Sequence, residues 1–298
     1  MLPVTGYVST EDGVRLYFQK LGNGRAVIIP NAIHMFDSFQ HLADKRTVIF
    51  FDLRNRGNSD SVSAREKLER GIHQDVDDID AIRRHFEIDQ PDLIGHSYVG
   101  LMVILYALKY PANVRRIVQI GPSQPNATRM YPAHLTGADD VLAAFLSKLG
   151  QMQSEGQPQN PEDSCEKFWA LMRTLMVADP ADAGKIGWTP CKCPNEMGFM
   201  KHWTENIQPS ISALDLSSDL SKVTAPVLAI HGTRDRQAPY GGGREWAMVL
   251  PNARLITIEN AAHVPWIEAP EQVCGSIERF LDGAWPEGAE EVKSLERP

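Results

Sequence analysis

The stretch that decides the fold is Pro91-Asp92-Leu93-Ile94-Gly95-His96-Ser97-Tyr98-Val99-Gly100, continued by Leu101-Met102-Val103-Ile104-Leu105-Tyr106-Ala107-Leu108. A short apolar run ends at Gly95, a serine follows two residues later, and the chain is then apolar on nearly every face up to Lys109 and Pro111. This pattern predicts a buried strand, a tight turn carrying Ser97, and a buried helix. Such a turn is a nucleophile elbow, which pushes a serine hydroxyl out above a sheet. Gly95 is required because a side chain there would strike the neighbouring backbone. The helix N-terminus behind Ser97 offers free N–H groups and a positive dipole end, both suited to an oxyanion. The common form of the motif is Gly-x-Ser-x-Gly; here Val99 takes the last position and the glycine comes one residue later, at Gly100.

Upstream, Gly6–Thr10 and Val14–Lys20 flank Glu11-Asp12-Gly13 as a hairpin. Ala26–Pro30 and Thr47–Asp52 are continuous apolar runs, as expected of strands buried on both faces. Asn31–His34 is expected as a loop and Phe36–Leu42 as a short helix. Ile72–Phe86 repeats Val76, Ile79, Ile82 and Phe86 at helical spacing, with Asp75, Asp77, Asp78 and Asp80 set to complement the dipole. Val114–Ile120 is a further strand. The alternation of strand and helix predicts a mostly parallel sheet with helices on both faces. From residue 123 to 215 no central strand is legible; two helices, Val141–Leu149 and Cys165–Met176, are expected around a polar linker, Gln151–Asp163. Strands return at Val227–Ile230 and Arg254–Ile258, with helices at Glu245–Leu250 and Pro270–Leu281, and a frayed tail from Gly283. Residues 1–122 and 216–298 are thus expected to form an α/β core, and 123–215 an inserted helical cap.

With 298 residues, 43% hydrophobic and 23% charged, the composition is that of a globular chain, and a net charge of -8 argues against a nucleic-acid partner. No run is long enough to span a bilayer, and the first residues do not read as a signal peptide. The spacing of Cys165, Cys191, Cys193 and Cys274 shows no disulfide framework, so free thiols in a reducing, cytoplasmic setting are expected. Cys191-x-Cys193 with His202 matches no common zinc pattern, and no phosphate or dinucleotide loop is present, so no metal or cofactor is expected.

Two further loops carry chemistry. Gly232-Thr233-Arg234-Asp235 follows one late strand, and Asn260-Ala261-Ala262-His263 follows the next. Loops at the carboxyl ends of parallel strands converge on one edge. A serine, an acid and a histidine gathered there form a nucleophile, an orienting carboxylate and a base. These segments, together with Asp52-Leu53-Arg54-Asn55-Arg56-Gly57-Asn58-Ser59, resemble the α/β-hydrolase superfamily with a helical cap, nearest the esterase and proline-iminopeptidase-like branch. The resemblance runs from about Gly6 to Leu281. It implies Ser97 as nucleophile, His263 as base and Asp235 as orienting acid, with oxyanion N–H donors at Tyr98 and Ile33. The usual His-Gly of that loop is replaced by Asn31-Ala32.

His96 is expected to be structural, pointing down from the elbow, and Arg54 and Arg56 to brace their loop. His34, Trp169, Trp188 and Trp203 are candidate substrate contacts. With Met130, Tyr131, Phe145, Phe168, Met172, Met176 and Phe199 they suggest an apolar pocket and a small or medium apolar ester as substrate. Three functions stay open: an esterase; an aminopeptidase or amidase holding an α-amino group on Glu162, Asp163, Glu166, Glu196 or Glu205; or a non-catalytic binding protein. A monomer or a homodimer is compatible with all three.

Overall fold

A computed structural model describes residues 2–154, 161–193 and 195–296. Among them one sheet of eight strands forms: β1 (Val4–Ser9), β2 (Arg15–Leu21), β3 (Ala26–Pro30), β4 (Thr47–Phe51), β5 (Asp92–His96), β6 (Arg116–Ile120), β7 (Val227–Gly232) and β8 (Ala253–Ile258). Their order is β1-β2-β4-β3-β5-β6-β7-β8. β1 and β2 pair antiparallel across the Asp12-Gly13 turn, β2 pairs antiparallel with β4, and every later pairing is parallel. Every residue of β5 and β7 is buried, so neither strand alternates apolar with exposed polar positions.

The helices are α1 (Ala32–Phe39), α2 (Ile72–His85), α3 (Tyr98–Lys109), α4 (Asp140–Ser154), α5 (Pro161–Met176), α6 (Glu196–His202), α7 (Gln208–Ser212), α8 (Tyr240–Val249), α9 (Pro265–Glu268) and α10 (Pro270–Leu281). Strand side chains alternate between two cores. Ile28, Ile49, Leu93 and Ile117 join α2, α3 and Trp246 of α8; Val27, Ile29, Val48, Phe50 and Ile94 join α1 and α10.

Several expectations are corrected. The loop at Asn31–His34 is the start of α1, and Asn31 alone stays outside it, in the left-handed region at φ 68°. Between β6 and β7 the described residues hold helices and no strand, and α6 and α7 add to the two helices expected there. Pro209 looks like a breaker there, yet the helical run continues through it, directly after a π-helical turn at Trp203–Ile207. The polar linker is helical up to Ser154 and from Pro161, while residues 155–160 lie outside the described residues. The tail from Gly283 is docked rather than frayed: buried Arg244 donates to the carbonyls of Leu295 (2.7 Å) and Ser294 (2.9 Å), and Glu290 bridges Leu255.

Cys165 and Cys191 form a disulfide, leaving Cys193 and Cys274 free. The expectation of four free thiols is therefore wrong, and the cytoplasmic setting loses the premise it rested on. No helix among the described residues is long and apolar enough to cross a membrane. The bridge ties α5 to the segment carrying Trp188. Since it closes a loop of 26 residues, reduction, or Cys165→Ala with Cys191→Ala, is expected to lower stability by about 2–4 kcal/mol, read as a fall in Tm.

The acids of α2 do more than complement its dipole. Asp78 receives Arg54 at 2.7 Å from both Nε and Nη2. Asp75 is buried with neither carboxyl oxygen partnered; burial, then the charge of Asp78, pushes it well above the usual carboxylate range. A raised folded pKa means stability that is full below the unfolded value and is lost as pH rises through the folded one. Asp75→Asn mimics the neutral acid without that loss. The variant should match wild type in acidic buffer and exceed its denaturation midpoint in alkaline buffer.

Candidate active site

The elbow is built by close backbone approach. A Cβ on Gly95 would lie 2.4 Å from the Val99 carbonyl oxygen, so only glycine fits. Gly100 plays a related part, since a Cβ there would meet Pro122 at 2.9 Å. The displaced glycine therefore serves the packing of α3 on the β6 loop and leaves the turn tight. Ser97 itself sits at φ 59°, ψ -129°, immediately before α3. Its N–H donates to Ile120 (3.0 Å), and its carbonyl accepts from Gly100 (2.9 Å) and Ser123 (3.1 Å).

Asp235 follows β7 and His263 follows β8, on the carboxyl edge that β5 shares. The Asp235 carboxylate is fully buried. One oxygen accepts the N–H groups of Gln237 and Ala238, both at 2.9 Å; the other faces His263 Nδ1 at 2.8 Å and His231 Nε2 at 3.2 Å. Burial alone would raise its pKa, but the His263 charge and the two imidazole hydrogen bonds hold it well below the usual carboxylate range. Next to a carboxylate, Nδ1 of His263 carries the proton, which leaves Nε2 as the acceptor. His231, within reach of both this carboxylate and the Ala238 carbonyl (3.0 Å), was not singled out from the sequence.

His96 Nε2 donates to the His263 carbonyl (2.9 Å), and its ring meets Trp266 edge-on at 4.7 Å. Burial, then the His263 charge, lowers its pKa far below that of a free imidazole, so it is a neutral brace for the His263 backbone. It also lines the cavity, which its expected position below the elbow did not foresee.

A cavity of about 200 Å³ opens beside Ser97 and His263. His34, Trp169, Trp188 and Trp203 all line it, as do Phe168, Met172, Met176 and Phe199. Met130 is exposed instead, and Tyr131 bonds Glu245. His34 stacks on Trp188 at 4.0 Å and meets Trp169 edge-on at 5.5 Å. The disulfide and a hydrogen bond from Arg173 to the Trp188 carbonyl secure the segments carrying both indoles.

Arg54 braces its loop as expected, reaching Asp78, Asp12 and the Lys67 carbonyl. Arg56 departs from expectation by lining the cavity. Its Nη2 lies 3.4 Å from both Glu196 and His34 Nε2, and its guanidinium sits 3.9 Å over the Phe199 ring. Of the five acids considered as amine ligands, Glu196 alone is buried. Asn31 and Gln237 also line the cavity and were missed; a polar residue on a loop after a strand was the available signal.

Ile33, expected as the second oxyanion donor, does not itself line the cavity, although Asn31 and His34 on either side of it do. Burial raises Asp52 to about 6 against the N–H groups of Asn58 and Ile33 and the Arg56 charge. Among the described residues no cluster suited to a metal ion occurs.

Residues 29–174 match the family model of the alpha/beta hydrolase fold, and residues 201–290 match that of TAP-like protein. The chain is 24% identical over 296 residues to the AB hydrolase superfamily protein YisY of Bacillus subtilis, covering 92% of this chain and 98% of that one. It is 24% identical over 251 residues to the proline iminopeptidase PfmaB of Pestalotiopsis fici, covering 83% and 85% of the two chains. It is 25% identical over 283 residues to a pimeloyl-[acyl-carrier protein] methyl ester esterase of Nitrosospira multiformis, covering 90% and 98%. Its fold matches an esterase from Exiguobacterium antarcticum with a TM-score of 0.71 at 17% identity, over 94% of this chain and 100% of that one. The chain belongs to the α/β-hydrolase superfamily, and its activity is that of a hydrolase.

Gly95→Ala drives a methyl into backbone that no rotamer change can move. It is expected to destabilise by about 1–3 kcal/mol, the range for overpacking, measured by chemical denaturation.

Proposed function

We propose that this hydrolase cleaves carboxylic esters through an acyl-enzyme on Ser97. The observation that carries the proposal is the shared cavity. Ser97, on a strained turn at a helix N-terminus, lines the same small space as His263, whose far nitrogen is held 2.8 Å from the buried Asp235 carboxylate. In this mechanism Nε2 of His263 takes the Ser97 proton as Oγ attacks the ester carbonyl. Asp235 stabilises the imidazolium, and the proton then leaves with the alcohol. Water activated by the same nitrogen releases the acid. One oxyanion donor is the N–H of Tyr98, the first of its helix, and the second is an N–H of the loop after β3. Asn31 supplies the positive φ before Ala32 that a glycine would otherwise provide. The helices of residues 123–215 act as the cap, and their indoles and methionines suit a short apolar acyl or alcohol group.

A second reading, an iminopeptidase-like activity, draws on the proline iminopeptidase relatives and on Glu196, whose second oxygen has no partner. The ester reading is preferred because Glu196 is paired with Arg56. A guanidinium in the cavity wall disfavours a substrate ammonium. Wild type is expected to turn over p-nitrophenyl butyrate and to leave prolyl-p-nitroanilide nearly untouched; the reverse ranking would favour the peptidase. Ser97→Ala should lose fluorophosphonate labelling and at least about a thousandfold in ester turnover. A wild-type protein that binds the ester, takes no label and turns nothing over would be a binding protein.

A further inference from the structure

We propose that the Tyr98 hydroxyl and the Arg56 Nε form a two-donor subsite for a second oxygen of the substrate, so that the ester cleaved at Ser97 also carries a neutral carbonyl group. The inference rests on the acyl-enzyme reading above and names its substrate class.

Both side chains line the cavity with Ser97 and His263, and both are more than nine-tenths buried, Tyr98 at 6% and Arg56 at 3% exposure. Neither the Tyr98 hydroxyl nor the Arg56 Nε has a hydrogen-bond partner in the protein. A buried donor left unmade is costly, so two of them carried by side chains that line one cavity suit an acceptor brought by a ligand. Tyr98 is a donor at any working pH: burial, then the charge of Asp75, pushes its hydroxyl well above the ordinary phenol range.

The wall is also held in place. The Tyr98 ring meets Trp203 edge-on at 4.9 Å. The Arg56 guanidinium lies on Phe199 at 3.9 Å, and its Nη2 faces His34 Nε2 at 3.4 Å. Donors fixed before binding discriminate more sharply than mobile ones.

The charge balance selects a neutral acceptor over a carboxylate. Nη2 of Arg56 is already engaged with Glu196 and His34, so no free pair of N–H groups is left on that side for bidentate carboxylate binding. A single carbonyl oxygen takes one hydrogen bond from Nε and one from the Tyr98 hydroxyl. The rest of the lining, including Phe168, Trp169 and Met172, is apolar. An all-alkyl ester would fill the space and leave both donors unpaired.

The test compares methyl 4-oxopentanoate with methyl 4-methylpentanoate, esters of the same shape that differ by the ketone oxygen, with turnover followed by titration of released acid. Wild type should prefer the oxo ester by at least about tenfold in kcat/KM, as a site built for a hydrogen bond rejects the analogue lacking it. Tyr98→Phe should bring that ratio to near one. The ratio, not the absolute rate, is the readout. Removing a hydroxyl with no protein partner should not lower the Tm, so a fall in preference cannot be laid to unfolding. Arg56→Lys, which keeps the charge opposite Glu196 and moves the donor, should lower the ratio as well. Equal rates for the two esters in wild type, or a preference that survives Tyr98→Phe, would overturn the subsite. Thermal-shift titration of Ser97→Ala with the same two esters separates the layers. Stronger stabilisation by the oxo ester, abolished by the added Tyr98→Phe, upholds the subsite even if wild type proves unable to hydrolyse either. Equal stabilisation overturns it whatever the turnover.

Discussion

The backbone at Ser97 is held at φ 59°, a region L-residues avoid, at a cost on the order of 1–3 kcal/mol. That strain lifts the serine above the sheet edge, and the surroundings over-determine it. The Ser97 N–H is tied to β6, its carbonyl receives Gly100 and Ser123, and Gly95 admits the Val99 backbone where any Cβ would collide. The register of β5 on β6 and the helix behind it therefore set where the Ser97 hydroxyl stands.

The second constraint is electrostatic. Asp235 is a carboxylate with no exposure, which is tolerable only because four donors converge on it. Two are backbone N–H groups of its own turn; the others are imidazoles. Through His263 the carboxylate joins the loops after β7 and β8, and through the His263 carbonyl it is coupled to His96 beside Ser97. Asp235 and Ser97 thus share one chain of hydrogen bonds and packed rings under the cavity.

Above the sheet edge, side chains from residues 123–215 line the cavity beside Ser97. Their contribution is largely apolar and pinned by the Cys165–Cys191 bridge, while the polar wall is supplied mainly by the core, through Arg56, Asn31, His34 and Tyr98. A cavity that is apolar on one side and donor-rich on the other is the form expected of a site that orients its ligand before reaction.

The sequence alone determined the sheet and the rim. Strands buried on both faces leave unbroken apolar runs, and a Gly-x-Ser turn, an Asp and a His after successive strands are local patterns whose convergence follows from parallel topology. It did not determine contacts between segments distant in the chain. Cys165 and Cys191 are 26 residues apart, and their meeting depends on how α5 lies against the turn after Trp188. The pairing of Arg56 with Glu196, 140 residues away, likewise turned a loop arginine into part of the cavity wall. Local periodicity records which face of an element is buried; the tertiary structure decides what each buried polar group finds there.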